Sequence, residues 1–278
     1  MHTGEVAGFA PAKVNLSLHV TGQRDDGYHL LDSLVAFADI GDQVTVSSDA
    51  ALSLTIDGPE AAGLFAEDDN LVLRAARFLD PGRGARIRLT KHLPVASGIG
   101  GGSADAAATI RALCALWQQP LPAPHRLAAL GADVPVCLHG KPCRMRGIGD
   151  DLEAIPDLPP LDVLLVNPRV SVPTAAVFAG LASRHNPPMT DPPPADHHGF
   201  LDWLKEQRND LAAPAIAYAP EIEKVLQELE ALKPLHCAMS GSGATCFALF
   251  PKGTTAAQAE RSVAAVHPQW WVASGGLH

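Results

Sequence analysis

The stretch LPVASGIGGGSADAA, residues 93–107, has glycine at 98, 100, 101 and 102 and runs unbroken into an alanine-rich segment. Glycine inside a helix costs about 1 kcal/mol relative to alanine, so the run belongs to a loop and the alanines after it to a helix. Such a junction aims unpaired N–H groups and the positive end of a helix dipole at one point. With no Cβ in the way, an anion can approach that point closely. The spacing predicts a phosphate-binding loop with Ser103 opening the helix. A flexible connection with Ser103 as an ordinary N-cap would read the same way.

Three common phosphate loops are excluded by spacing. A P-loop places lysine and then Ser/Thr directly after its last glycine, whereas Gly102 is followed by Ser103 and Ala104. A dinucleotide fingerprint follows a buried parallel strand and places an acidic residue about 20 positions later. Here the preceding ARIRLT alternates like a strand with one wet face, and the later stretch is WQQPLP. A protein-kinase glycine loop requires H-R-D and D-F-G elsewhere, and neither occurs.

The flanking patterns predict an α+β chain. KVNLSLHV (13–20), QVTVSS, LSLTI and ARIRLT alternate as half-buried strands, the last with its arginines outward. NLVLRAARFL reads as a helix, and Ala106, Ile110, Leu113 and Trp117 share one face of the helix after the glycines. Proline breaks this order at DLPPL (157–161), predicting two domains, 1–155 and 156–278. NPPMTDPPPADHH (186–198) reads as a polar loop, with His197 and His198 in water. Beyond it come an amphipathic helix, APEIEKVLQELEAL, and a strand–turn–strand, LHCAMSGSGATCFALF.

Charge narrows the function. The formal net charge is −9 and there is no lysine or arginine run, which argues against a nucleic-acid or membrane-surface partner. An anionic substrate would have to be captured by a few placed cations and backbone N–H groups. The N-terminus lacks a signal-peptide pattern, and no apolar stretch approaches the roughly 20 residues that span a bilayer. Five cysteines without a C-x-x-C pair predict free thiols in a reducing cytoplasm and no metal site.

Single residues are ambiguous on their own. Asp133 in GADVPV sits in an apolar stretch where an unpaired carboxylate is costly, yet a turn or helix-capping aspartate looks the same. Pro135 biases Val134 toward an extended conformation. Lys13 resembles a solvated charge at the start of a strand, Lys91 a surface lysine and Asn70 a helix cap. Asn15 reads as a strand-surface residue, and Tyr28 and His29 as turn residues. Phe178 reads as core, and Gly241 and Ser242 as part of a tight hairpin.

Taken together, PAKVNLSLHVTGQRDDGYHLLDS, LPVASGIGGGSADAA and SGSGATCFALF resemble the three motifs of the GHMP small-molecule kinases, from about Ala10 to Phe250. GYH (27–29) and GADVPV (131–136) narrow the resemblance to members acting on a cytidine diphosphate-linked methylerythritol. The resemblance implies an N-terminal ribosomal-S5-like domain and a C-terminal ferredoxin-like domain. It implies ATP-dependent phosphorylation of the acceptor's 2-hydroxyl, in the non-mevalonate route to isoprenoids. Lys13 and Asp133 are the implied catalytic pair. ATP falls to Pro94, Val95, Ala96, Ser97, Gly98, Ile99, Gly100, Gly101, Gly102, Ser103 and Ala104, with Asn70 and Lys91 at the adenosine. The acceptor falls to Asn15, Tyr28, His29, Thr174, Phe178, Gly241 and Ser242, with Tyr28 and Phe178 sandwiching the cytosine. Magnesium is expected with the nucleotide, held by phosphate oxygens and Ser103, since no glutamate stands out as a ligand. A monomer or weak homodimer is expected. The segment QQPLPAPHRLAAL is shorter than the family pattern, implying a truncated helix before Asp133.

Overall fold

The computed structural model describes residues 4–190 and 196–278, so the middle of the proline-rich loop lies outside the described residues. The chain runs β1 (Val6–Gln23), β2 (His29–Ser48), β3 (Leu52–Asp57), α1 (Leu71–Leu79), β4 (Ala85–Thr90), α2 (Gly101–Trp117), α3 (Pro124–Leu127), α4 (Val134–His139), β5 (Cys143–Gly147) and β6 (Asp151–Ala154). It continues through β7 (Leu161–Asn167), α5 (Thr174–Ala179), α6 (His197–Lys205), α7 (Ala212–Tyr218), α8 (Glu221–Ala231), β8 (His236–Met239), β9 (Cys246–Pro251), α9 (Thr255–Val266) and β10 (Trp271–Leu277).

Two compact units emerge. One comprises residues 1–12, 41–95 and 100–140, the other 13–40, 96–99 and 141–278. They do not follow a single cut near residue 156. The reason lies in β1 and β2, strands of 18 and 20 residues that each run through both units.

In the first unit, the end of β2 pairs antiparallel with β4, and β3 pairs parallel with β4. The alternation in ARIRLT is realised: Ala85, Ile87 and Leu89 are buried, while Arg86 and Arg88 reach outward to Asp49 and Asp57. Helix α2 differs from the one-faced helix its spacing predicts. Ala104, Ala106, Ala107, Ala108, Ile110, Ala112 and Leu113 are all buried, because alanine lets neighbours approach on most sides. Ile110 and Cys114 pack with Ala75 of α1, Leu127 of α3 and Val134 of α4. The segment before Asp133 carries the four-residue helix α3.

In the second unit, strands run in the order β10-β7-β9-β8, antiparallel throughout. With helices between β7 and β8 and α9 between β9 and β10, this is the βαββαβ arrangement of ferredoxin-like domains. Val225 and Leu229 of α8 and Ala259 and Val263 of α9 share a core with Leu164, Val166 and Ala248 of the sheet. Helix α6 begins at His197, capped by Asp196, whose carboxylate accepts from Gly199 N at 2.8 Å. His197 and His198 therefore open a helix rather than continue the loop.

Candidate active site

The sequence motifs converge most clearly in the second unit. KVNLSLHV was expected to have one wet face, but Lys13, Asn15, Ser17 and His19 are all at most 4% exposed. Their polar groups are met inside the protein, as buried polar groups must be. Lys13 Nζ donates to Asn15 Oδ1 at 2.9 Å, and Asn15 Nδ2 donates to Ser33 Oγ at 2.7 Å. Ser33 Oγ donates in turn to Ser17 O at 2.6 Å. Asn15 N donates to Ser240 Oγ at 3.0 Å, and that hydroxyl donates to Gly98 O at 3.2 Å. Lys13 is therefore a desolvated cation on a rigid strand, in a row of hydrogen bonds that fixes its position.

The same row anchors the start of the glycine loop. Lys13 N donates to Ile99 O at 2.9 Å, and Thr245 N donates to Ser97 O at 3.1 Å. Gly98 has φ +76°, and a Cβ there would lie 2.7 Å from both Ser240 O and Gly243 O, so no other residue fits. The SGSG turn thus packs directly on the loop. Asn209 Nδ2 holds the turn by donating to Met239 O at 2.8 Å and Gly241 O at 2.9 Å. Thr174 Oγ1 and Ser242 Oγ share a hydrogen bond of 2.9 Å, bringing together two of the expected acceptor contacts.

The aromatic residues depart from the expected sandwich. Phe178 stacks on His29, ring centroids 4.5 Å apart at 25°, so these two faces already cover each other. Tyr28 stands 59% exposed on the turn joining β1 and β2. Burial, and after it the charge of Arg184, lowers the His29 pKa and favours the neutral imidazole.

In the first unit, Gly100 rather than Ser103 occupies the N-cap of α2, with φ +68° and no side-chain capping bond. Ser103 is the third residue of the helix, still in its first turn, so the helix opens at Gly101 and Ser103 is not its N-cap. The first-turn N–H groups of Gly101, Gly102 and Ser103 have no acceptor within the helix. Asp133 sits half-buried at the N-cap of α4 without capping it. Its turn lies beside the loop helix, since a Cβ on Gly131 would be 4.0 Å from Ser103 Oγ. Asn70 caps α1, its Oδ1 accepting from Val72 N at 2.9 Å.

Lys91 is not the surface lysine its sequence context allows. It is 4% exposed, and its ammonium bonds Asp42, itself fully buried, and Asp105 at 2.8 Å. Asp42 also accepts from Leu93 N at 2.8 Å and from His92 N, fixing the entry to the glycine loop, while Asp105 lies on its exit helix. A Cβ on Gly101 would lie 3.6 Å from Lys91 Nζ, so this cluster underlies the first turn of α2. Burial raises the Asp105 pKa to about 7. The Lys91 main chain is also engaged, its N–H to Asp57 O at 2.7 Å and its carbonyl accepting from Glu60 N at 3.1 Å. Asp42, Asp105, Ser33, Ser240 and Asn209 all escape a reading of the sequence. Of these, Ser33, Ser240 and Asp105 fall inside motif stretches and carry at least that signal.

One unit thus holds a buried cation and the start of a glycine loop seated on a serine–glycine turn, and the other an aspartate turn beside the helix that follows the loop. Two family models match the chain: GHMP kinases N terminal domain over residues 70–154 and GHMP kinases C terminal over 196–269. The sequence is 60% identical over 274 residues to the 4-diphosphocytidyl-2-C-methyl-D-erythritol kinase of Ruegeria pomeroyi, covering 97% of this chain and 98% of that one. It is 57% identical over 271 residues to the enzyme of the same name from Cereibacter sphaeroides, covering 95% and 96%. A crystal structure of 4-(cytidine 5'-diphospho)-2C-methyl-D-erythritol kinase superposes with a TM-score of 0.80 at 32% identity, covering 98% of both chains. The chain belongs to the 4-diphosphocytidyl-2-C-methyl-D-erythritol kinase family of the GHMP kinases.

Proposed function

We propose that the protein transfers the γ-phosphoryl group of ATP to the 2-hydroxyl of 4-diphosphocytidyl-2-C-methyl-D-erythritol, a step of the non-mevalonate route to isoprenoid precursors. The observation that carries this reading is the 60% identity to a relative of that name over 97% of the chain. Phosphoryl transfer needs positioning and charge stabilisation more than covalent help. Asp133 orients the acceptor hydroxyl and takes its proton late in the transfer. Lys13 stabilises the developing alkoxide and the charge on the moving phosphoryl group. Residues Pro94 to Ala104 cradle the phosphates through main-chain N–H groups, and Asn70 meets the adenosine with its amide nitrogen. Lys91 acts from beneath the loop, supported by its buried carboxylate partners.

Asn15, Thr174, Gly241 and Ser242 meet the acceptor's polar groups, and Tyr28, His29 and Phe178 its base. With Phe178 stacked on His29, the reading takes the base to lie on an outer face of that pair or on Tyr28. Magnesium, expected with the nucleotide, would supply neutralisation of phosphate charge. Phosphate oxygens would hold most of the ion's coordination, with Ser103 at hand. Residues 1–155 and 156–278 serve as the two family domains, in line with family models matching 70–154 and 196–269. A cytoplasmic monomer or weak homodimer, without nucleic-acid partners, completes the reading. Among the described residues no helix is long and apolar enough to cross a membrane.

The test is direct. Purified protein with ATP, magnesium and the cytidine-linked acceptor should release ADP and yield a new phosphomonoester by phosphorus NMR. Homoserine and mevalonate should give none. Turnover of either in preference to the cytidine substrate would overturn the assignment.

A further inference from the structure

Among the described residues, His29 Nε2 and Arg184 Nε are buried nitrogens without a hydrogen-bond partner. They belong to one corner of the second unit. Asn186 N donates to Val20 O at 3.1 Å, and Thr21 Oγ1 donates to Leu30 O at 3.3 Å. These bonds bring the segment after Arg184 and the start of β2 to the same end of β1. Phe178, six residues before Arg184, stacks on His29. The guanidinium is close enough to help keep the imidazole neutral.

A buried donor left unpaired costs about 1–3 kcal/mol, and the Arg184 Nε–H, in one corner with a His29 Nε2 that also lacks a partner, marks a place where a ligand would relieve that cost. The missing partner is an acceptor, since a guanidinium donates and never accepts. Other arginines around β1 and β2 are committed: Arg24 to Asp26, Arg144 to Asp32 and Arg208 to Asp210. A nucleoside diphosphate carries its phosphates one ribose away from its base. The cation that meets them must therefore stand beside the aromatics that take the base. In a protein of net charge −9, that cation has to be local.

We propose that Arg184 is a specificity-determining residue that grips the diphosphate of the cytidine-linked acceptor beside the His29–Phe178 pair. The inference rests on the acceptor assigned under Proposed function. The planar fork of arginine suits two phosphate oxygens at once, and His29, when its Nε2 carries the proton, supplies a neutral donor next to it. Lysine at this position would offer a point charge without the fork.

Competitive inhibition by cytidine, CMP and CDP against the acceptor tests the proposal in the intact enzyme. In Arg184→Met, inhibition by CDP should weaken about 10- to 100-fold, the range of a charged hydrogen bond. Inhibition by cytidine, KM for ATP and kcat should stay within about threefold. Arg184→Lys should recover part of the CDP affinity. Equal losses for cytidine and CDP would mean that Arg184 only shapes the aromatic pair, and an unchanged CDP constant would mean that it touches no phosphate. Either result overturns the proposal while the acceptor assignment stands. A wild-type enzyme that neither phosphorylates the cytidine-linked acceptor nor binds CDP would overturn both.

Discussion

Replacing Lys91 by methionine tests how much of the first unit depends on one buried charge. The lysine is 4% exposed and is the cation shared by Asp42 and Asp105, which are 0% and 3% exposed. Methionine fills nearly the same space, so the loss is electrostatic rather than a cavity. Removing one partner of a buried ion pair costs about 3–5 kcal/mol, because the remaining charge is stranded. At about 2–4 °C per kcal/mol for a chain of this size, Tm at pH 7.5 should fall by about 6–20 °C. Asp105, left in a dry site without its cation, will take up a proton more readily, so the loss should shrink as pH falls. Adding Asp105→Asn should restore part of the stability, since contacting residues are not additive. The assay is thermal unfolding of wild type, Lys91→Met and the double variant between pH 5.5 and 8. A fall below 2 °C at pH 7.5, or a fall that does not depend on pH, would refute the reasoning.

Asp105 makes a separate prediction in the wild-type protein. Burial raises its carboxyl pKa to about 7, above the roughly 3.9 of an unfolded chain. The folded state thus holds a proton that the unfolded state has lost, so this contribution is full below about pH 4 and lost as pH rises through about 7. Asp105→Asn should flatten the corresponding decline in Tm between pH 5 and 8, and an unaltered slope would count against the burial argument. For the chemistry, Asp133→Ala should lower turnover by about 10²–10⁴ while ATP affinity by equilibrium dialysis changes little. Activity within a few-fold of wild type would remove Asp133 from the mechanism.

The parts of the fold legible in the sequence were those set by local pattern. ARIRLT has a wet and a dry face, and APEIEKVLQELEAL has one apolar stripe, so β4 and α8 stand close to where the pattern puts them. LHCAMSGSGATCFALF likewise becomes β8, a glycine turn and β9. Where the environment is supplied from far along the chain, the local pattern misleads. The polar face of KVNLSLHV reads as solvent-facing, yet Asn15 meets Ser33 and Ser240, 18 and 225 residues away. Lys91 has the same history, its partners lying 49 and 14 residues away. The glycine loop was legible because backbone conformation is a local demand. Which side chains support it was not, because an aspartate such as Asp42, in a strand, carries no sign of what it will hold.

The passage of β1 and β2 through both units has a consequence for building chimeras. A crossover between relatives at the proline-rich DLPPL stretch looks like a clean exchange of modules. It would instead divide the second unit, which takes residues 13–40 from one side of the cut and β7 to β10 from the other. Leu277 pairs with Ala38, and His278 exchanges main-chain bonds of 2.6 and 2.8 Å with Phe37, so the last strand closes on one laid down near the start. A hybrid made there inherits mismatched halves of a single sheet. Exchanging residues 1–12, 41–95 and 100–140 together while keeping 96–99 leaves each unit whole, and the four retained residues are the part of the glycine loop that the SGSG turn already grips.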